Sequence, residues 1–247
     1  RWLLASGPES RPEVCGALCL YPLDVEAGER DALSGLLDAD ERTRAARFHS
    51  AVHRQRFAVA HGRLREILGT VLSLPPQALQ FSLGAHGKPQ LAGAPAQSGL
   101  QFNLSHAGDV ALLGWAHGRA IGVDVEVWRE MHDEAALVRR YFSAHEVNAY
   151  QKLPAAARRE GFFNGWTRKE AYVKAVGRGL GLSLNSFDVS LDSGPGARLL
   201  RASALASETG PWSLAALAAP AGLSGAVVLE AAACHILPSG APALARL

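Results

Sequence analysis

A β-branched run, Ile121-Gly122-Val123-Asp124-Val125-Glu126, sets two carboxylates two residues apart, and that spacing fixes how the segment can be used. In a strand, positions i and i+2 share one face, so Asp124 and Glu126 project side by side. A second stretch, Trp166-Thr167-Arg168-Lys169-Glu170-Ala171-Tyr172-Val173-Lys174, reads as helix and puts Glu170 one turn before Lys174 on one face. Three acids converging with a lysine suit a hard divalent cation that holds a substrate phosphate. Spacing alone also fits a plainer reading: acids on a solvated strand face, and an i,i+4 pair that stabilises a helix.

With 247 residues the chain can bury a substantial core, as one domain or two small ones. Hydrophobic residues at 48% and charged residues at 19% are ordinary for a globular protein, and a formal charge of +2 is too small to imply nucleic acid as partner. Cys15, Cys19 and Cys234 are odd in number and lack a C-x-x-C spacing, so reduced thiols are expected rather than a disulfide or metal framework. Pro220, Gly222, Gly225 and Glu230 interrupt the small-residue stretch from Ala215 to Cys234, which therefore does not read as a membrane span. No charged n-region and apolar h-region pattern opens the chain at Arg1, and a cytoplasmic enzyme is the expectation.

Hydrophobic periodicity predicts a strand at Val14–Tyr21 and helix from Asp31 to Leu72, with Asp38 and Asp40 at cap positions and Pro75-Pro76 ending the stretch. Short strands are predicted at Ala78–Leu83, Gln101–Leu104, Val110–Ala116 and Ile121–Val127. Helices follow at Glu134–Tyr141, His145–Tyr150 and 158–176, the last ending at Gly177, a natural residue for a left-handed cap. Phe187–Leu191, Trp212–Ala218 and Gly225–Ala231 are the predicted closing strands. A faint internal echo pairs Val71-Leu72-Ser73-Leu74 with Gly181-Leu182-Ser183-Leu184, each followed by a predicted strand.

The two acidic stretches, about forty residues apart, resemble the signature of the Sfp-type 4′-phosphopantetheinyl transferases, (I/V)-G-(I/V)-D followed by (F/W)-(S/C/T)-x-K-E-(A/S)-x-x-K. Ile121 to Asp124 match the first part; Trp166, Thr167, Lys169, Glu170, Ala171 and Lys174 match every fixed position of the second. Gly87-Lys88-Pro89, Phe102-Asn103-Leu104-Ser105-His106, Tyr141-Phe142-Ser143 with Glu146, and Gly177-x-Gly179-Leu180 agree in order. The resemblance runs from roughly Arg54 to Leu191.

That resemblance implies an α+β fold of two similar halves related by a pseudo-twofold axis, residues 1–126 and 127–247, with the active site between them, a usual place for ligand sites. It implies transfer of the 4′-phosphopantetheine arm of coenzyme A to a serine of an apo acyl, peptidyl or aryl carrier protein. Mg²⁺, or Mn²⁺, is implied at Asp124, Glu126 and Glu170. Glu170 is implied to take the proton of the attacking hydroxyl, with Glu146 or water as alternative bases, and Lys174 to neutralise pyrophosphate charge. Lys88, Ser105 and His106, expected in turn-like segments, are implied contacts to coenzyme A phosphates. Arg56 is the implied grip on the 3′-phosphate, with Arg63 or Arg54 as substitutes, since a guanidinium fork pairs phosphate oxygens. Arg139, Arg140, Arg158 and Arg159 are candidates for a basic patch that docks an acidic carrier. A monomer with a self-contained site is expected, with neither membrane nor nucleic acid as partner.

Other motifs have simpler explanations. His49-x-x-x-His53 has the spacing of a helical zinc pair but no neighbouring general-base Glu, and reads as a solvated helix face. Gly177-x-Gly179-x-Gly181 follows a helix rather than a strand, so it is a terminating loop and no dinucleotide fingerprint. Trp166 is expected in the core. Two other functions fit the same residues: a non-catalytic module that binds coenzyme A or a carrier, and a Mg²⁺-dependent enzyme that cleaves a nucleotide pyrophosphate with water.

Overall fold

A computed structural model of the chain describes residues 14–193, 196–203, 210–232 and 235–238. In chain order the first elements are β1 (Val14–Pro22), α1 (Ala27–Gly35), α2 (Ala39–Ala46), α3 (Ala51–Leu72), β2 (Gln80–Leu83), β3 (Pro89–Ala92), β4 (Leu100–Ala107) and β5 (Val110–His117). The same succession then recurs as β6 (Ile121–Val127), α4 (Glu134–Tyr141), α5 (Ala144–Lys152), α6 (Ala155–Val176), β7 (Asp188–Val189), β8 (Leu199–Arg201), β9 (Trp212–Ala216) and β10 (Leu223–Glu230). A last strand, β11 (His235–Pro238), pairs in parallel with β1. Pairing repeats too: one sheet has the order β11-β1-β5-β4 and another β6-β10-β9, with hairpins β2-β3 and β7-β8 beside them. The fold is α+β. The division expected after Glu126 cuts across this pairing, because β6 lies before it yet hydrogen-bonds to β10, Asp124 facing Ala226 and Val123 facing Val227.

Helix signals explain the segmentation. The helical stretch expected from Asp31 to Leu72 divides among three helices, because Asp38 caps α2 through a reciprocal box with Glu41, and residues 48–50 lie outside helix before α3. Asp40 therefore sits in the first turn of α2 and is not a cap. In the second unit Ser143 and Glu146 form the same box at the start of α5. α6 stops at Gly177, whose φ of 73° a side-chain-bearing residue adopts only at a cost. Hairpin β4–β5 turns on Gly108 and Asp109, Ala107 facing Val110. The strands β3, β8 and β11 were not expected; each is only three or four residues long and lacks a clear alternation.

Three apolar layers hold the elements. Val59, Leu64, Ile67 and Leu68 of α3 pack on Phe102, Leu113 and Trp115 of the first sheet. Ala171, Tyr172 and Ala175 of α6 pack on Ala226 and Val228 of β10. Between the sheets, Leu112 and Ala116 of β5 meet Ile121, Val123 and Val125 of β6 and Val227 and Leu229 of β10. Trp166 is only partly buried, beside Tyr141 and Phe162 in an aromatic cluster rather than in these layers. Cys19 is a buried free thiol, and Cys234 lies outside the described residues. Among the described residues no helix is long and apolar enough to cross a membrane.

β6 passes close against α6. A Cβ built on Gly122 would fall inside van der Waals distance of the Ala171 carbonyl oxygen and the Ala175 nitrogen, both backbone atoms of α6. Glycine at 122 and alanine at 171 and 175 let the strand and helix axes approach this closely. Gly122→Ala is expected to lower unfolding free energy by on the order of 3 kcal/mol, the upper range for overpacking, because a backbone cannot rotate away as a side chain can. Urea denaturation measures it; a change below about 0.5 kcal/mol, the scatter of ordinary surface substitutions, would show that the approach is not obligatory.

Candidate active site

The approach of β6 to α6 brings the two acidic stretches together. Lys174 extends from the last turns of α6 and donates from Nζ to Asp124 Oδ1 at 2.6 Å and to Ser105 Oγ at 3.1 Å. Ser105 Oγ itself donates to Asp124 Oδ1 at 2.8 Å. Asp124 is 5% exposed, and its other oxygen, Oδ2, is buried without a hydrogen-bond partner. Burial pushes the Asp124 carboxyl above the ordinary range, more than the Lys174 ammonium pulls it down. Glu126, one pleat further along β6, lies at 3.3 Å from Arg129; burial and then the Asp124 charge raise its pKa. Glu170 is raised by burial first, then by Asp124 and Glu126.

The three acids expected to share a cation are thus neighbours close enough to repel one another. They are not arranged as a finished cage: among the described residues no group of three His, Cys, Asp or Glu side chains is placed to hold a metal ion. The donor set still fits a hard cation. Asp124 Oδ2 lacks any donor, all three acids are carboxylates, and positive charge would relieve the repulsion that raises Glu126 and Glu170.

Two clefts flank this centre. One, of about 590 Å³, is lined by Glu170 and Lys174 together with Lys88, Tyr141, Val173 and Leu182. The other, of about 540 Å³, lies in the first unit and is lined by Arg44, Arg47, Phe57, His61, Phe81 and His106. Pro89 and Leu104 line both, so the clefts share a wall. Ser105 and His106 are successive residues of strand β4 rather than of a turn, and they separate accordingly: Ser105 faces Asp124, whereas His106 lines the first-unit cleft. Crowding by protein atoms, then the charges of His61, Lys174 and Arg56, lower the His106 pKa.

The remaining expected residues divide. Lys88 stands at the centre but donates to backbone, to Ile121 O at 2.7 Å and Lys174 O at 2.8 Å, and burial pulls its pKa down to about 8. Arg56 forms an ion pair with Asp109 in the β4–β5 turn. Arg63 is taken up by Glu29 and by Glu66, and Arg54 donates to Phe48 O, so neither lines the clefts described. Glu146 is withdrawn from the site: it is fully buried, accepting from Ser143 and Val189 N–H groups and pairing with Lys169 at 2.7 Å. Arg139, Arg140, Arg158 and Arg159 are exposed, with Arg159 near Glu130 at 3.8 Å. His49 and His53 are both exposed, and His49 precedes α3, so the two do not share a helix.

Sequence reasoning missed Arg44, Arg47 and His61. Glu41 holds His61 Nδ1 at 3.1 Å and is itself tied to the buried Arg65 at 2.6 Å. The polar i,i+3 spacing of Arg44 and Arg47 looks like any solvated helix face, so nothing local marks it. Asn103 carried a signal, inside the Phe-Asn-Leu-Ser-His piece, but not its role: Oδ1 accepts the Val123 N–H at 2.8 Å.

Known proteins place this arrangement. Residues 120–224 match the 4′-phosphopantetheinyl transferase superfamily, and residues 28–116 match 4′-phosphopantetheinyl transferase, N-terminal. The 4′-phosphopantetheinyl transferase HetI of Nostoc sp. is 38% identical over 193 residues, covering 78% of this chain and 78% of that protein. The chain belongs to the Sfp-type 4′-phosphopantetheinyl transferases. Other relatives include psf-1 of Bacillus pumilus, 29% identical over 71% of this chain and 73% of its own length, and Sfp of Bacillus subtilis, 27% identical over 69% and 72%. Family membership makes it a transferase.

In this phosphopantetheinyl transferase the acid cluster carries a cost that can be read directly. An acid whose folded-state pKa lies above its unfolded value binds more protons folded than unfolded between the two, so stability falls as pH rises through that window. Glu170→Gln removes one such acid. The free protein is expected to gain roughly 1 kcal/mol near neutral pH, a gain that shrinks below the ordinary glutamate pKa, where both states are protonated. Thermal melts from pH 4 to 8 check it; a gain that does not grow with pH would contradict the raised pKa.

Proposed function

We propose that this transferase moves the 4′-phosphopantetheine arm of coenzyme A onto a serine of an apo carrier-protein domain, with adenosine 3′,5′-bisphosphate as the other product. The observation that carries the reading is the junction of Asp124, Ser105 and Lys174 at the cleft lined by Glu170, where acids and an ammonium meet on two elements. Phosphoryl transfer asks for positioning and charge stabilisation more than for an enzyme nucleophile, and this junction supplies both.

The two clefts, with Pro89 and Leu104 as a shared wall, suit the two ends of an extended ligand, and each falls in the usual volume range of ligand sites. Arg44, Arg47, His61 and His106 offer cations and imidazoles to the phosphorylated nucleotide end. Tyr141, Val173 and Leu182 offer an apolar wall to the pantetheine arm. Asp124, Glu126 and Glu170 would hold Mg²⁺, or Mn²⁺. When bound, that ion would neutralise diphosphate charge as the phosphorus–oxygen bond breaks.

The chain's own residues perform the rest. The carrier serine oxygen attacks the β-phosphorus, the bond to the bridging oxygen breaks, and the bisphosphate departs with the electron pair. Glu170, which lines the cleft beside Lys174, takes the serine proton directly or through water. The burial of Glu146 in other bonds supports Glu170 over it as base. Lys174 balances charge on the diphosphate.

Arg139, Arg140, Arg158 and Arg159 form the basic face offered to an acidic carrier. The site would be self-contained in a cytoplasmic monomer built of two similar halves, which the doubled strand order supports.

Asp124→Ala, incubated with coenzyme A, Mg²⁺ and an apo carrier domain, is expected to lose transfer at least a thousandfold, read as the missing phosphopantetheine mass on the carrier. Near-native transfer would refute the ligand assignment. Reversing charge at Arg139 and Arg158 together should raise the KM for carrier severalfold at low salt and leave coenzyme A binding unchanged, since rim charges act on association. An unaltered KM would dispose of the patch.

A further inference from the structure

Among the described residues β6 is an edge strand of its sheet: β10 pairs with it on one side, and β4 of the other sheet approaches the opposite edge without forming a ladder. An open edge leaves backbone groups that must be satisfied, and here side chains do it. Val123 N–H donates to Asn103 Oδ1, and the Ile121 carbonyl accepts from Lys88 Nζ at 2.7 Å. Lys88 makes a second bond, at 2.8 Å, to the carbonyl of Lys174. That carbonyl lies in the last turn of α6, where helical partners run out and the helix dipole favours a cation.

Lys88 is presented by a turn that is itself closed, Gly84 N–H donating to Lys88 O at 2.9 Å and Gly87 N–H to Gly84 O at 2.9 Å. Gly87 has a φ of 78°, which the turn requires. An ammonium has three N–H donors, and two are spent on carbonyls that flank Gly122 and the Glu170–Lys174 turn. We infer that Lys88 is a positioning residue rather than a phosphate ligand: it clamps the open edge of β6 to the end of α6 and so sets Asp124 against Glu170 and Lys174. Asn103 does the same from β4, one residue before Asp124. The inference rests on the proposed transferase site only for what the clamp serves; the clamp itself is a property of the fold.

The test uses the full chain with Lys88→Met, which keeps the aliphatic stem without donors, and Lys88→Gln, which keeps a neutral donor without charge. In the ligand-free protein, hydrogen exchange over residues 121–125 and 172–177 is expected to rise at least tenfold for the Met variant and much less for the Gln variant. With coenzyme A, Mg²⁺ and an apo carrier, the Met variant should lose at least tenfold in kcat while its KM for coenzyme A stays within threefold, and Gln should recover most of that loss. Unchanged exchange in the Met variant overturns the inference, as does a KM for coenzyme A raised more than tenfold in both variants with kcat held. Exchange is read without turnover, so an inactive unaltered protein would defeat the transferase reading and leave this test standing.

Discussion

The contact of β6 with α6 is the constraint on which the rest depends. Each element taken singly is ordinary: an edge strand with alternating acids and a 22-residue helix with an i,i+4 Glu–Lys pair. What makes them a site is that Gly122 has no Cβ where the backbone of Ala171 and Ala175 passes. The close approach brings Lys174 Nζ to 2.6 Å of Asp124. The glycine and alanine of the signature are therefore requirements of distance, and the acids and Lys174 supply the charges that meet there. A larger residue at 122 would leave every charged group in place along the chain and still separate them in space.

The doubled architecture explains why charges are buried far from that contact. In the first unit Glu41, third residue of α2, completes a capping box and pairs with Arg65, fifteenth residue of α3. In the second, Glu146, third residue of α5, completes a capping box and pairs with Lys169, fifteenth residue of α6. Both bases are fully buried and donate besides to backbone carbonyls, Arg65 to Pro76 and Leu79, Lys169 to Leu184 and Phe187. A buried pair with every donor and acceptor occupied is tolerated, but removing one partner strands the other charge. Such a pair fixes the short capped helix against the long one in each unit. Lys169, although a fixed position of the signature beside Glu170, belongs to this frame and turns away from the cleft.

These pairs also mark what could be read from the sequence. The strand at 121–127 and the helix ending at Gly177 were legible because alternation and a left-handed cap are local properties. The acids, Ser105, His106, Lys88 and Lys174 were legible by resemblance; Ser105, Lys88 and Lys174 lie about Asp124 and the end of α6, and His106 lines the other cleft. Their division was not legible: Ser105 and His106 part because β4 is a strand there, and Lys88 meets carbonyls because β6 has an open edge. Glu146 reads in the sequence as an alternative base, and only its partners Ser143, Val189 and Lys169 set it in a cap and a buried pair instead. The repeat was visible as a weak Leu-Ser-Leu echo, whereas the stronger repeat, a capping-box acid facing a buried base, changes Asp38 to Ser143 and Arg65 to Lys169 and so hides from residue matching. Arg44, Arg47 and His61 were lost because a cleft belongs to the tertiary structure.

The same arrangement ties stability to readiness for a ligand. A buried carboxylate oxygen without a donor, as at Asp124 Oδ2, costs free energy that folding must offset elsewhere. Lys174 offsets part of it through Oδ1, and Ser105 part, yet burial still prevails and the pKa remains raised. Filling that position with a neutral packed side chain would be the more stable solution for a protein that only had to fold. Cores on both faces of β6, Leu112 and Ala116 on one and Tyr172 and Ala175 on the other, supply the apolar burial that allows the cost to persist. Were the proposed cation and diphosphate to bind here, they would meet the charge crowded at Asp124, Glu126 and Glu170, so part of the binding free energy would come from relief of repulsion already built into the fold.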